Sequence, residues 1–526
     1  MTNGQSNLSR WLKQIKKKFS GQGQDNASGQ QNVPISTNLL KNEKMIKEIL
    51  GDGMDVMLTK FSIRVSANET VDAMLVAIDG LVDEQAKRDS ILTPLQHPGI
   101  EQWPNKDLDS IQNMLAVKNM RTETELMKAL YQVLSAQALL LVQNSGQGLL
   151  IDIPGFEIRS IEEPETEQTV RGPREGFIES ISVNMSMLRR KISHPDLRFE
   201  SLKIGEYTQT DIVITYIKDI CDPKIINRVK KRLKKIVVDQ IGSSGDIEQL
   251  IEDHPYSVFP TIGNTERPDK AAGMLLEGRV VIMVSGSPVT LIVPNLFVEN
   301  FMNVEDYNSR PYYSSAVRLL RFISFLISIT VPALYISALN FNKALIPSDL
   351  IIPLVQARET VPFPLAMEVL IGIFMFEIVR EAGVRLPRQI GTAISIVGPL
   401  ILGDVAVSAG LIGAPTIVIV SFSYIAAFVV TPIADVTAFL RILLFISASL
   451  FGSFGLSLAL LAILTHMVSL SSMGVPYMAP FAPIYFKDWK DTFVRVPIRL
   501  MRHRPKSIPN KRSKRIQSIP DTREKQ

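Results

Sequence analysis

Charged side chains nearly disappear from one long stretch in the second half of the chain. Between Leu319 and Phe486, 14 of 168 residues are Asp, Glu, Lys or Arg, whereas 21% of the whole 526-residue chain is charged. A helix that crosses a bilayer needs about 20 predominantly apolar residues, and this stretch has room for several such helices. The sequence therefore predicts an integral membrane protein, with a soluble N-terminal half and a C-terminal half that crosses the bilayer several times.

The membrane region, residues 301–486, is predicted to hold four to five helices and a re-entrant segment. Phe322–Leu339 contains 18 uncharged residues and is the predicted first span. Leu345–Val355 is apolar but short and is punctuated by prolines, which favours a re-entrant or interfacial piece. Because the basic tail and the soluble half both favour the cytoplasmic side, four full crossings are preferred over five. The other candidate segments are Leu365–Val379, Gln389–Gly403, Val405–Ala434 and a long helix from Ile442 to about Val468.

Composition divides the rest of the chain into four segments. Residues 1–38 are a basic leader and a disordered linker rich in Gly, Gln, Asn and Ser, and residues 487–526 are a basic cytoplasmic tail. Residues 39–145 carry apolar side chains at helical spacing and are predicted to be mainly helical. Residues 146–300 are predicted to be mixed α/β, with a helix capped by Asp222 and a hairpin turn at Ser285–Pro288. The strand candidates are Leu149–Ile153, Glu200–Ile204, Asp211–Ile217, Arg279–Val284 and Val289–Val293. The expected fold class is an α+β soluble region of two subdomains followed by an all-α polytopic membrane domain.

The sequence carries no group of residues that predicts catalysis or metal binding. Its five histidines are scattered, and it has neither a phosphate-binding loop nor a nucleophile elbow. We expect no enzyme activity, no catalytic residue, no cofactor and no bound metal. The net charge of +5 comes from basic chain ends. Because the tail lacks interleaved aromatic residues and follows a hydrophobic domain, we expect it to contact anionic membrane lipid and not nucleic acid.

Acidic residues inside the apolar region are candidates for a functional role, because charges at bilayer depth are costly. Glu368 and Glu377 are nine residues apart, about 900° around a helix, so they are expected on opposite faces. At most one of them then lines a conduit, while the other pairs with an arginine such as Arg441 or Arg380. Asp404 fits an interfacial position. For each acid, structural pairing or an interfacial position is the more frequent explanation.

Small residues lie at helical spacing along the candidate helix Gln389–Asp404. Such a stripe lets a neighbouring helix approach closely, which explains the pattern by packing alone. It also fits the narrow wall of an ion pathway at the axis of a homo-oligomer, closed by dewetting of apolar side chains. The candidate pore-lining residues are Ser395, Val397, Gly398, Leu400 and Ile401.

Several motifs resemble those of one known family. In the soluble part they are Glu163-Pro164-x-Thr166-Glu167, Val170-Arg171-Gly172-Pro173-Arg174, Ser193-His194-Pro195 and Asn264-Thr265-Glu266-Arg267-Pro268-Asp269-Lys270. In the membrane part they are Val361-Pro362-Phe363-Pro364 and Arg380-Glu381-Ala382-Gly383-Val384-Arg385-Leu386-Pro387. In order, and over about residues 150–500, these motifs resemble the A subunit of GerA-family spore germination receptors. The first 38 residues show no such resemblance.

The resemblance implies a subunit of a nutrient germinant receptor in the spore inner membrane, with its soluble region on the cytoplasmic side. Such receptors combine this subunit with a transporter-like B subunit and a lipoprotein C subunit, and the A subunit is proposed to oligomerise as a ligand-gated ion channel. A substrate transporter subunit and a non-conducting scaffold are the alternatives. Within the motif Asn264–Lys270, Arg267 and Asp269 are expected to pair in a turn at a subunit or subdomain contact.

Overall fold

The chain divides into two compact units. The first unit ends at Gly155, and the second unit holds everything after Gly155 together with the short segment Ile49–Val56. The computed structural model describes residues 33–66, 69–96, 108–115, 117, 119–155, 164, 167, 169, 171–386 and 401–515.

The first unit is built on a five-stranded sheet. Its elements are α1 (Leu39–Leu50), β1 (Val56–Ser66), β2 (Glu69–Ile78), the short helical segments Glu84–Ala86, Lys87–Leu92 and Thr93–Gln96, α2 (Leu108–Met114), β3 (Met120–Glu123), α3 (Leu126–Val133), β4 (Gln137–Val142) and β5 (Gly148–Asp152). The strand order is β1-β2-β4-β5-β3. The pairs β2–β4, β4–β5 and β3–β5 are antiparallel. Apolar side chains of the strands pack with those of α2 in one core.

The prediction that residues 39–145 are mainly helical is wrong. Residues 73–78 of β2 and 138–142 of β4 are buried without interruption. A strand covered on both faces has no alternating polar positions, so its apolar residues also fit a helical spacing. The predicted boundary at residue 146 is too early as well, because β5 pairs with β4 and β3 inside the first unit.

The soluble part of the second unit is mixed α/β, as predicted. Its elements are α4 (Ile181–Lys191), β6 (Leu197–Ile204), β7 (Thr210–Ile217), α5 (Pro223–Leu233), α6 (Ser244–Ile251), β8 (Gly263–Thr265), α7 (Pro268–Leu275), β9 (Val280–Val284) and β10 (Thr290–Val293). The sheet is antiparallel throughout, in the order β6-β7-β9-β10-β8. The hairpin predicted around residues 285–288 joins β9 to β10. The three-residue strand β8 was not predicted, because Gly-Asn-Thr carries no strand pattern.

Alternate residues of the central strands face two different layers of helices. Ile214 and Ile282 pack in a core with α5 and α6. Val213 and Val281, one position away on each strand, pack in a second core with α4 and α7. This is the two-residue period of a strand buried on both faces. Met473, which follows the last membrane helix, belongs to the first of these cores.

The apolar half of the second unit is helical. It contains α8 (Glu305–Asn308), α9 (Pro311–Ile336), α10 (Ser348–Gln356), α11 (Leu365–Arg385), helical residues 401–408, α12 (Ala414–Phe428) and α13 (Ala434–Ser469), followed by the short strands β11 (Ser471–Ser472) and β12 (Val475–Pro476). Among the described residues, two helical stretches are long and apolar enough to cross a membrane, Pro311–Phe341 and Thr431–Ser469. The nine residues of α10 span about 14 Å, less than half of a hydrocarbon core about 30 Å thick. Four crossings therefore stay a prediction.

The first and last of these helices, α9 and α13, pack against each other. Phe325 and Ile329 of α9 share a core with Leu440 and Leu444 of α13. Gly452 interrupts α13 with a φ of 61°, and a Cβ atom there would lie 2.7 Å from Cγ of Phe341. Only glycine fits this bend without a shift of the aromatic ring.

The predicted tail contacts the soluble part of the second unit, at the loops that follow β7 and α7. The Lys511 amide donates to the Ile220 carbonyl at 2.9 Å, and Nε of Arg504 donates to the Leu276 carbonyl at 2.6 Å. Arg512 forms an exposed ion pair with Asp219 at 3.2 Å. The polypeptide thus returns to the soluble part after α13.

We expect Asp222→Ala to destabilise the second unit by about 1 kcal/mol, because it removes the N-cap of α5. The Asp222 carboxylate accepts a hydrogen bond from the Lys224 amide at 2.8 Å. Asp222→Asn keeps this acceptor and should leave the stability nearly unchanged. Thermal unfolding of the detergent-solubilised protein, followed by circular dichroism, measures both effects. An equal loss in the two variants would show that the charge, and not the cap, is what matters.

We expect the stability of the second unit to fall as the pH rises from about 4.5 to 7. Burial and, to a smaller extent, the nearby Glu252 raise the pKa of Glu248 to about 7. In this pH window the folded state holds a proton that the unfolded state has released, so each step in pH favours unfolding. Glu248→Gln should therefore melt above the wild type at pH 8 and together with it at pH 4.5. The same difference at both pH values would assign the effect to packing.

Candidate functional site at the membrane junction

Two of the motifs that are about 100 residues apart in sequence contact each other in the second unit. The Glu167 carboxylate accepts hydrogen bonds from the Thr265 hydroxyl, from the Glu266 amide at 3.1 Å and from the Lys270 ammonium at 2.6 Å. Thr265 ends the edge strand β8, and Lys270 lies in the first turn of α7. The motif around Glu167 is thus fastened to the edge of the soluble sheet.

Arg267 binds the same loop through several hydrogen bonds of its guanidinium. Its side chain is 2% exposed and forms a bidentate pair with Asp269, at 2.8 and 3.1 Å. It also donates to the Glu167 carbonyl at 3.1 Å, the Thr169 hydroxyl at 3.2 Å and the Pro173 carbonyl at 3.0 Å. The ion pair expected between Arg267 and Asp269 is present. The contacts of Arg267 lie within this chain, and a role at a subunit contact stays a prediction.

The loop held by Arg267 also contacts the turn that precedes the first membrane helix. The Arg171 amide donates to the Glu305 carboxylate at 3.3 Å, and the Asn308 side-chain amide donates to the Arg171 carbonyl at 3.1 Å. Gly172 has a φ of 151°, and a Cβ atom there would lie 2.8 Å from Nδ2 of Asn308. A glycine is needed both for this backbone conformation and for the close approach of α8.

Buried ion pairs close the base of α9. Asp306 accepts hydrogen bonds from Arg318 at 2.8 Å and from Arg321 at 2.9 Å. Arg318 is fully buried and also contacts Asp491 of the tail at 2.9 Å. Burial raises the pKa of the Asp491 carboxyl, while Arg318 opposes that rise. These residues were not predicted from the sequence. The pattern that could have indicated them is a pair of arginines, one turn apart, at the edge of the apolar region.

We call the set Glu167, Arg267, Asp306, Arg318 and Asp491 the membrane junction. It connects, in succession, the sheet edge at β8, the loop before α4, the turn α8, the base of α9 and the tail. Arg267, Asp306 and Arg318 are buried, whereas Glu167 and Asp491 are partly exposed. Each is bonded in several directions, which is typical of structural connectors. No group of three or more His, Cys, Asp or Glu side chains that would suit a metal ion occurs within the described ranges.

A cavity of about 450 Å³ adjoins the junction, between α7, the connection from β10 to α9, and the tail. One wall is the buried pair of Arg279 and Glu299, and Nη1 of Arg279 lies 2.6 Å from that carboxylate. Burial raises the pKa of the Glu299 carboxyl, and Arg279 opposes that rise. The wall is therefore an internally neutralised pair, and apolar side chains such as Met274, Met302 and Val304 make up much of the remaining surface.

Both glutamates of the predicted membrane region are paired. Glu368 is fully buried and forms an ion pair with Arg358, at 2.7 Å from Nη2. Its other oxygen accepts hydrogen bonds from the Gly413 amide and the Thr416 hydroxyl, both at 3.1 Å, so it stabilises the N-terminus of α12. Arg441 and Arg380 were the predicted partners, and the partner of Glu368 is instead Arg358, ten residues before it.

Glu377 forms an ion pair with Arg380 and lies 2.8 Å from the Tyr424 hydroxyl. Both glutamates therefore contact α12, Glu368 at its N-terminus and Glu377 through the Tyr424 hydroxyl. Their placement on opposite faces of α11 stays a prediction. Arg441 pairs with neither acid. Its guanidinium carbon lies 3.9 Å from the centre of the Tyr424 ring, a cation–π contact.

The remaining candidate site residues lie near the start of the described segment 401–515 or before it. Asp404 is exposed, and Ile401 is 54% exposed. Ser395, Val397, Gly398 and Leu400 lie outside the described residues. Their assignment to a pore therefore stays a prediction.

Comparison with known proteins gives one consistent family. Residues 44–507 match the family described as Bacillus/Clostridium GerA spore germination protein. Spore germination protein KA of Bacillus subtilis is 40% identical over 478 residues, 90% of this chain and 88% of its own length. Spore germination protein GerLA of Bacillus cereus is 35% identical over 484 residues, 91% of this chain and 98% of its own.

A solved structure also matches. It is the crystal structure of the N-terminal domain of the A subunit of the Bacillus megaterium spore germinant receptor GerK3, with 36% sequence identity and a TM-score of 0.42. The match covers 51% of this chain and 99% of that chain.

We expect Arg267→Ala to lower the amount of folded protein in membranes strongly, because it leaves Asp269 and two loop carbonyls without their buried donor. The cost should be about 3 kcal/mol or more. Arg267→Lys should rescue little, since an ammonium cannot reproduce the bidentate pair and the three loop contacts together. Quantitative immunoblots of membrane fractions measure the effect. Arg385→Ala, which removes an exposed ion pair with Glu381, is the matched control. Normal amounts of both variants would show that the loop does not need Arg267.

Proposed function

This chain belongs to the GerA family of spore germination proteins, and we propose that it is the membrane subunit of a nutrient germinant receptor and forms, as a homo-oligomer, a ligand-gated ion channel. The observation that carries the proposal is the membrane junction. A domain that controls a pore must be attached to a pore-forming helix. Here the loop at Glu167 is bonded to the edge of the soluble sheet, its far end at Arg171 is hydrogen-bonded to α8, and buried ion pairs join α8 to the base of α9.

The course of the tail supports an even number of membrane crossings. Residues 504–512 hydrogen-bond to the loops that follow β7 and α7, and the chain enters α9 from the same soluble part of the second unit. If both ends of the membrane region leave on one side, the chain crosses two or four times. We assign the additional crossings to the part of the chain that holds α11, residues 387–400 and α12. Four crossings agree with a soluble region and a tail that both lie on the cytoplasmic side of the spore inner membrane.

The pairing of the acids bears on the route of the ions. Because Glu368 and Glu377 are neutralised within the chain, neither is available to attract cations into a conduit. The proposed route therefore runs along Gln389–Asp404, with Ser395, Val397, Gly398, Leu400 and Ile401 as the candidate lining. Apolar side chains that face one another at an oligomer axis exclude water and so close a pore. Ligand binding by the assembled receptor would have to separate them.

The proposed partners are a transporter-like B subunit, a lipoprotein C subunit and further copies of this chain. The names of the relatives support a role in germination, and the family assignment supports the subunit composition by analogy. Two functions other than a channel are the alternatives. A transporter subunit would take up labelled nutrient, and a scaffold would assemble with its partners without conducting ions. Neither alternative has a specific observation in the described residues in its favour.

We expect spores that carry Leu400→Ala to release potassium without nutrient, because the smaller side chain weakens the apolar closure. Leu458→Ala, at a position of α13 that is 56% exposed, trims the same group and should leave potassium release at the wild-type level. Potassium release before and after nutrient addition measures both, and a strain that lacks the gene shows how much of the nutrient response depends on this chain. Unchanged resting release from both variants, at normal protein levels, would remove this helix from the channel proposal. A normal nutrient response without the gene would contradict the receptor role.

A further inference from the structure

The segment that follows the last membrane helix exposes a set of apolar side chains. Six large ones lie between residues 484 and 500 and are between 36% and 72% exposed: Ile484, Phe486, Trp489, Val494, Ile498 and Leu500. Single exposed apolar residues are common on soluble surfaces, but a continuous group of this kind marks an interaction surface. We call residues 484–502 the interfacial segment.

Unpaired cations accompany these apolar side chains. Among the described residues, none forms an ion pair with Lys487, Lys490, Arg499 or Arg502. The two acids of the segment are directed inward: Asp488 accepts a hydrogen bond from the Ser507 amide at 2.7 Å, and Asp491 pairs with Arg318. The outer side of the segment is therefore both apolar and positively charged.

The contacts of the segment fix its height along the first membrane helix. The ring centres of Phe493 and Phe322 are 4.7 Å apart, and the Arg495 amide donates to the Ser315 hydroxyl at 3.0 Å. The helical stretch from Pro311 has 31 residues and is about 46 Å long, against a hydrocarbon core of about 30 Å. Because Arg318 and Arg321 lie in its first three turns, the surplus length is assigned to that end, at the level of the lipid headgroups, and the interfacial segment lies beside it.

We propose that the interfacial segment inserts its apolar side chains into the lipid headgroup layer and binds anionic lipid through its cations. A bilayer is the occupant because the surface is continuous with Leu319 and Leu320, which are 51% and 54% exposed on α9. Tyr312 and Tyr313, 90% and 67% exposed, lie at the same level, and a belt of aromatic and basic side chains is typical of the membrane interface. The segment would then hold the membrane junction at a fixed depth. This inference rests on the proposed membrane crossing.

Depth-dependent quenching of Trp489 tests the inference. The chain has three tryptophans, and Trp11→Phe with Trp103→Phe leaves Trp489 as the reporter. The full chain is reconstituted in vesicles of phosphatidylcholine and phosphatidylglycerol that carry bromine at shallow or at deep acyl positions. Shallow bromines should remove most of the emission and deep bromines much less. Lys487→Glu with Arg499→Glu should lower quenching in anionic vesicles to the level found in purely zwitterionic ones.

A second reporter separates this inference from the proposed membrane crossing. Phe451 lies in the middle of α13 and is 65% exposed, so Phe451→Trp, with Trp489 also replaced by Phe, reports on the bilayer interior. Quenching of that reporter by deep bromines, with no quenching of Trp489, would overturn the interfacial segment and keep the crossing. Blue-shifted Trp489 emission without quenching would overturn it in favour of a protein partner. If neither reporter is quenched, both proposals fail.

Discussion

A guanidinium that is removed from water must be given carboxylates in exchange, and Arg318 is fully buried at the base of the first membrane helix. Its two acidic partners arrive from different directions, Asp306 from the turn before α9 and Asp491 from the tail about 170 residues later. Loss of either contact would leave the buried guanidinium with a single carboxylate. This single requirement therefore determines where the tail must return and which turn must precede the helix.

The same logic explains why the family motifs are where they are. Glu167 and Arg267 belong to different motifs, yet each supplies what the other segment lacks: a carboxylate for the Lys270 ammonium, and donors for loop carbonyls. The motif residues stabilise a loop whose far end, at Arg171, contacts the turn that leads into α9.

The sequence predicted the second soluble domain well because its signals are local. Asp222 and Pro223 start α5, and the turn at residues 285–288 joins two strands. The prediction for the first unit failed at the strands β2 and β4. Because both faces of these strands are buried, they lack the alternation of polar and apolar residues that identifies a strand. Glu377 reaches α12 through the long side chain of Tyr424, a contact that helical spacing alone does not predict. The junction itself depends on contacts between residues more than 100 positions apart, for example Glu167 with Lys270 and Arg318 with Asp491, and no pattern in one sequence encodes them.

The hairpin after α13 has a consequence for how the membrane part can move. Met473 lies in the hydrophobic core beneath the soluble sheet, only four residues beyond the end of α13. A rotation of the soluble sheet would therefore turn the C-terminal part of α13 with it, since separation would expose Met473 to water. Gly452, where the backbone bends against Phe341, divides that C-terminal part from the N-terminal part of the helix, so the bend limits how far such a rotation is transmitted.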